Sequence, residues 1–93
     1  MAEMSLREQI RAMEDMEQDL KACCQVMNDM IDDMNKNIAS LRGEGFTVEK
    51  EADYRDRYFN PAKDTIDMVI DNELLHIRYL VEIIEDLEGA LRM

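Results

Sequence analysis

Three side chains of the sequence could together bind a divalent metal ion: Glu17, Glu73 and His76. Glu73 and His76 are three positions apart, so on a helix they share one face and can reach the same ion. Carboxylate oxygens and imidazole nitrogens are both ligands of divalent metals in proteins. Glu17 is distant in sequence, so a site that includes it needs a fold in which two helices meet. Metal binding is therefore one functional hypothesis.

The Glu-x-x-His motif lies in a segment, Asp71 to Leu80, that resembles the metal-ligand helix of ferritin-like di-iron proteins. The resemblance covers about one helix. It implies that Glu73 and His76 are ligands, that Glu17 is the facing carboxylate, and that iron or another divalent metal is the cofactor. Two chains together would complete a di-iron ligand set of glutamates and histidines. The alternative is a surface histidine with two partly solvated glutamates, and no cofactor.

The first half of the chain contains a long apolar repeat. Apolar residues recur at alternating spacings of four and three, the heptad pattern of a helix with one apolar face. Ser5 followed by Glu8 forms a capping box at its start. We predict a helix over about 5–41. The repeat is Leu6, Ile10, Met13, Glu17, Leu20, Cys24, Met27, Ile31, Met34, Ile38 and Leu41.

The chain midpoint is glycine-rich and predicts a turn over 42–46. Gly43 and Gly45 can both adopt the left-handed conformation that ends many helices. Thr47 is a suitable N-cap for a helix that we expect at about 47–59.

A final helix is predicted at about 61–91. Asn60-Pro61 precedes it, and because the residue before proline avoids helical geometry, we expect either a kink or a break between two helices there. The final helix has its own apolar repeat with one charged member. The repeat is Ile66, Ile70, Glu73, Ile77, Leu80, Ile84, Leu87 and Leu91.

The two repeats can be aligned by pairing residues whose numbers add up to 90, which places Gly45 at the centre. This pairing puts Cys24 opposite Ile66 and Glu17 opposite Glu73. It predicts an all-α fold in which residues 1–93 form a single antiparallel helical hairpin. Because each helix has a wide apolar face, we expect association with a second helical pair to complete a four-helix bundle.

Composition limits the possible functions. The net charge is −11, which disfavours nucleic-acid binding because that needs Lys and Arg against phosphate. The same charge allows a third hypothesis, an acidic inhibitor that mimics nucleic acid.

There is no long apolar run for a membrane span and no cleavable signal peptide, so we expect a cytoplasmic protein or one exported without such a signal. No glycine-rich phosphate loop or Ser/His/Asp set is present, which favours a non-catalytic protein.

Aromatic residues cluster shortly after the glycines and predict a binding surface. Phe46, Tyr54, Tyr58 and Phe59 are four of the five aromatic residues, and aromatic side chains are the usual anchors of protein interfaces. The same residues could instead pack the end of the hairpin. With the neighbouring part of the apolar repeats, the predicted partner-binding residues are Ile31, Met34, Ile38, Leu41, Phe46, Tyr54, Tyr58, Phe59, Ile66 and Ile70.

The order of these features resembles the Trp-x-Gly family of small helical hairpins exported by type VII secretion. Leu41-Arg42-Gly43 occupies the place of the Trp-x-Gly turn, and aromatic residues and an apolar helix follow it. Leu41 replaces the tryptophan, and Tyr79 is followed four positions later by Ile83 where the family's export signal has an acidic residue. The resemblance implies a small secretion substrate or a targeting partner of one, and the two departures favour the partner. Either would bind another helical protein, or itself as a homodimer, through the apolar face.

Overall fold

A computed structural model describes residues 4–93, and in that part of the chain all regular structure is helical. Helix α1 spans Leu6–Ser40 and helix α2 spans Val48–Tyr54. A π-helical segment, Arg55–Phe59, follows directly and leads into helix α3, Asn60–Arg92. The predicted all-α class is confirmed.

Both helix starts that the sequence predicted are capped by side-chain oxygens. The Glu8 amide donates to Ser5 Oγ at 3.2 Å, and the Lys50 amide donates to Thr47 Oγ1 at 3.2 Å. These bonds satisfy amides that have no partner inside the helix. Thr47 itself is extended, with φ −77° and ψ 168°, so α2 begins one residue after the cap.

The segment between α1 and α2 is stabilised by a pair of backbone hydrogen bonds. The Gly43 amide donates to the Phe46 carbonyl at 3.3 Å, and the Phe46 amide donates to the Gly43 carbonyl at 3.2 Å. Gly45, inside this pair, has φ +85°. A side chain at that position would strain the backbone, so glycine is required for the turn geometry.

At Asn60-Pro61, where the sequence predicts either a kink or a break, the structure has a change of helix type. Asn60 has the right-handed helical conformation, φ −62° and ψ −44°, and its amide donates to the Arg55 carbonyl in the π pattern. Proline has no amide hydrogen, so a regular α-helix would lose a hydrogen bond at Pro61. The wider π turn lies immediately before it and absorbs this irregularity. The prediction of two separate helices divided at Asn60 is therefore wrong.

The chain divides into two compact units, which we describe separately. The terminal unit contains the described residues up to Cys24 together with Asn72–Met93, and the turn unit contains Gln25–Asp71. In the terminal unit the buried side chains are Ile10, Cys24, Ile77, Leu80 and Ile84. In the turn unit the buried side chains are Ile31, Ile38 and Phe59, with Met34, Phe46 and Ile66 packed against them.

The pairing of the two repeats differs from the sequence prediction by about one heptad. Ile66 packs against the cluster around Ile31 and Ile38, seven or more positions beyond the Cys24 that the pairing assigned to it. Glu73 lies near enough to Cys24 to raise the pKa of its thiol, where the pairing placed it opposite Glu17. The prediction assumed one uniform helical period after the turn. The π segment adds residues to that stretch without a matching change in the apolar spacing, which accounts for part of the shift.

Replacing Ile38 with alanine tests the small core of the turn unit. Ile38 is 6% exposed and contacts the Phe59 cluster, so Ile38→Ala should lower the free energy of unfolding by about 2–5 kcal/mol through lost burial and a residual cavity. Urea unfolding followed by circular dichroism measures this. Leu41→Ala is the control, because Leu41 is 59% exposed. Equal losses from both variants would contradict the assigned core.

Candidate functional site

The turn unit contains an open apolar cavity of about 460 Å³. This is within the range of natural ligand and side-chain pockets. We call it the tyrosine pocket. Its lining residues are Met34, Asn37, Ile38, Leu41, Phe46, Tyr54, Tyr58, Phe59 and Ala62. They come from the end of α1, the turn, α2, the π segment and the start of α3.

Large apolar side chains around the pocket face solvent. Tyr58 is 62% exposed, Leu41 59% and Tyr54 45%. The two tyrosine rings contact each other at a tilt, with centroids 5.4 Å apart and an interplanar angle of 44°. Contiguous exposed apolar surface of this kind usually marks a binding site in a folded protein. The pocket therefore combines a buried floor at Ile38 and Phe59 with an exposed aromatic rim.

A single carboxylate holds the elements around the pocket in place. Arg42 donates from Nε to Glu51 Oε1 at 2.7 Å and from Nη2 to Glu51 Oε2 at 3.1 Å, a two-pronged contact that fixes geometry as well as charge. The Arg55 Nε is 3.6 Å from Glu51 Oε2. Arg55 also donates from Nη1 to Asn35 Oδ1 at 2.8 Å, and its guanidinium lies 5.2 Å from the centre of the Phe59 ring. We call these four polar residues, Asn35, Arg42, Glu51 and Arg55, the glutamate clamp.

The clamp changes the ionisation of its members. Hydrogen bonding from Arg42 holds the pKa of the Glu51 carboxyl below its ordinary value. Burial opposes this shift in part, whereas the positive charges of Arg42 and Arg55 lower the pKa further. The same hydrogen bond raises the pKa of Arg42. Both shifts favour the charged forms of Arg42 and Glu51 at neutral pH.

The ten predicted partner-binding residues separate into two groups. Ile31, Ile38 and Phe59 are buried in the unit's own core, and Met34, Phe46 and Ile66 pack on that core. Ile70 is half-buried. Leu41, Tyr54 and Tyr58 remain exposed around the pocket, and they are the members of the set with free surface.

The sequence prediction missed two pocket residues and the clamp. Asn37 and Ala62 line the pocket, but neither belongs to an apolar repeat. Arg42 and Glu51 are nine positions apart across the turn, a spacing that has no periodic signature. Only their placement on either side of the predicted turn hinted that they could meet.

The three candidate metal ligands do not form a metal site within one chain. In residues 4–93, no group of three or more His, Cys, Asp or Glu side chains is arranged to hold an ion. Glu17 Oε1 is 3.4 Å from the Lys21 ammonium. His76 Nδ1 is 3.9 Å from Glu73 Oε2, and that oxygen is buried without a hydrogen-bond partner in the described structure. The predicted meeting of Glu17 with Glu73 and His76 is thus not seen there.

The adjacent cysteines have different environments. Cys23 is exposed and Cys24 is buried, and both are free thiols. Burial raises the pKa of the Cys24 thiol, and the neighbouring Cys23 and Glu73 raise it further. Both the burial and the raised pKa disfavour the reactive thiolate of Cys24 in the folded chain.

Comparisons with protein-family models, with curated proteins and with solved structures found no match for this chain. Within the described residues, no helix combines the length and the apolar character required to cross a bilayer.

Removing the Glu51 charge should destabilise the protein in a pH-dependent way. The pKa of Glu51 is lower in the folded chain than in the unfolded chain. Its contribution to the stability of the folded state is therefore present above the ordinary carboxyl pKa and is lost as the pH falls through the folded pKa. We expect Glu51→Gln to have a lower melting temperature than the wild type at neutral pH, and the difference to disappear in acid. Thermal melts across a pH series measure this.

Glu49→Gln is the matched control for that variant. Glu49 lies with Glu51 in the first turn of α2, so both substitutions remove a carboxylate that interacts favourably with the helix dipole. The decrease in melting temperature should be larger for Glu51→Gln than for Glu49→Gln at neutral pH. An equal decrease, or a difference from the wild type that persists in acid, would show that the clamp adds no stability.

The two cysteines should differ in their rates of alkylation. Iodoacetamide reacts with the thiolate, so Cys23 should be modified first and Cys24 only slowly in the folded protein, with the difference abolished in denaturant. Because the residues are adjacent, Cys23→Ser and Cys24→Ser single variants, followed by intact-mass spectrometry, separate the two rates. Equal native rates would contradict the burial of Cys24.

Proposed function

We propose that this chain is a non-catalytic helical interaction protein that binds another helical protein, or a second copy of itself, at the tyrosine pocket. The observation that carries the proposal is the pocket with its exposed rim of Leu41, Tyr54 and Tyr58. Tyrosine supplies a large contact area with few rotatable bonds, so ordering it in an interface costs little entropy. Amphipathic helices commonly bind grooves of this kind through side chains spaced by three and four positions.

The small core of the turn unit supports the same proposal. Its buried side chains are Ile31, Ile38 and Phe59, whereas the exposed apolar side chains of the unit are more numerous: Val26, Met30, Leu41, Val48, Tyr54, Tyr58, Met68 and Val69. Covering part of this surface with a partner would add apolar burial that the unit does not achieve alone.

The finer form of the proposal is an antiparallel helical hairpin that completes a four-helix bundle with its partner. The paired hydrogen bonds between Gly43 and Phe46 favour reversal of the chain at this point. The order of turn, aromatic cluster and apolar helix is similar to that of the Trp-x-Gly family. That similarity supports a role as a substrate or targeting partner in type VII secretion.

A photo-crosslinking amino acid in place of Tyr58 tests the docking surface directly. Tyr58 lines the pocket and its side chain is exposed, so irradiation of cells that express the variant should yield an adduct. Mass spectrometry identifies the adduct as another helical protein or as a second copy of the chain.

The same substitution at Tyr79 is the matched control. Tyr79 is also 62% exposed but belongs to the terminal unit and is not among the residues that line the pocket. Absence of an adduct at position 58, or an identical adduct pattern at both positions, would exclude the pocket as the docking surface.

A further inference from the structure

We infer that the occupant of the tyrosine pocket is an amphipathic helix of another protein whose apolar face is flanked by Lys and Arg, rather than a second copy of this chain. The inference rests on the proposed function and specifies the chemistry of its partner. It is drawn from the acidic net charge of the turn unit and from exposed carboxylates that neighbour pocket residues in the sequence.

The turn unit has a strong acidic excess. Residues 25–71 contain eleven acidic and six basic side chains, a net charge of −5. Exposed carboxylates lie beside the pocket residues in sequence: Asp33 directly precedes Met34, and Glu44 lies between Leu41 and Phe46. Neither has an ion-pair partner within the described structure.

Most of the basic side chains of the unit are already engaged. Arg42 and Arg55 contact Glu51. The Arg57 Nε lies 2.9 Å from Asp53 Oδ1, and the Lys63 ammonium lies 2.8 Å from Asp67 Oδ2. The Lys50 ammonium donates to the Gly45 carbonyl at 2.9 Å. The excess carboxylates of the turn unit therefore have few unengaged cations within the same unit to neutralise them.

This charge distribution favours a basic partner over a second copy. A second copy would bring another net charge of −11 towards a surface that is already acidic, and like charges across an interface oppose association. A helix with Lys and Arg on either side of an apolar face gains attraction at the rim while its large apolar side chains enter the pocket. The rim charges also accelerate the encounter between the two molecules.

Two synthetic helical peptides test the inference on the full-length chain. Both have the same Leu/Phe face and a fluorescent label, and they differ only in carrying Lys or Glu at the flanking positions. Fluorescence anisotropy should show the Lys peptide binding at least about tenfold more tightly, with the difference shrinking as salt increases because exposed charges are screened. Tyr58→Ala should weaken the Lys peptide by about tenfold, as expected for an aromatic anchor. Tyr79→Ala should leave its binding unchanged.

The other outcomes are distinguishable. If both peptides bind with equal affinity and Tyr58→Ala weakens both, the inference of a basic partner is overturned but the pocket remains a docking surface. If Tyr58→Ala does not weaken binding of the Lys peptide, the inference is also overturned, because the peptide is then attracted to an acidic surface other than the pocket. A dimer that is seen by light scattering and dissociated by Tyr58→Ala also overturns it, because the occupant is then a second copy. The proposed function itself is tested independently of these peptides by the crosslinking experiment at position 58.

Discussion

A helix that packs against a single neighbour can bury only one stripe of its surface, and this limit determines much of what is seen in both units. In residues 4–93 every buried side chain is hydrophobic, and none is less than 2% exposed. The apolar repeats of the sequence are wider than one such stripe, so several methionines, leucines and tyrosines remain at the surface. The tyrosine pocket is the place where this unused apolar surface becomes concave.

Polar contacts support the turn unit where apolar burial is limited. The clamp joins Arg42, two positions beyond the end of α1, to α2 and the π segment through the contacts of Glu51 with Arg42 and Arg55. Arg55 extends the connection to Asn35 and lies over the Phe59 ring, so one side chain contacts both the polar network and the core. Because Tyr54 and Tyr58 flank Arg55 on the same stretch of chain, the clamp also orients the aromatic rim. None of the described charged side chains is buried, so the clamp fixes the geometry of the turn unit through paired, partly exposed charges.

The sequence predicted the features of this fold that depend on local rules. The spacing of Leu6 to Leu41 predicted the first helix, and Ser5 and Thr47 predicted where helices begin, because caps and heptads act over a few residues. The π segment was not predictable in this way, since Pro61 alone permits a kink, a break or a change of helix type. It contributes to the error in pairing Glu17 with Glu73, because register depends on how many residues each turn consumes. For the site, the aromatic cluster was found from composition. The division between buried Phe59 and exposed Tyr58 needed the structure, because adjacent residues on this stretch face different surroundings.

Methyl NMR of methionine-labelled protein tests most directly whether the apolar pocket is a docking surface. Met34 lines the pocket, and Met13 belongs to the terminal unit; their resonances can be assigned with Met34→Leu and Met13→Leu. If the pocket is the docking surface, titration with the Lys-flanked peptide should shift the Met34 methyl signal saturably and leave the Met13 methyl signal unchanged. A shift of Met13 with Met34 unmoved, or no shift at either methyl, would contradict it.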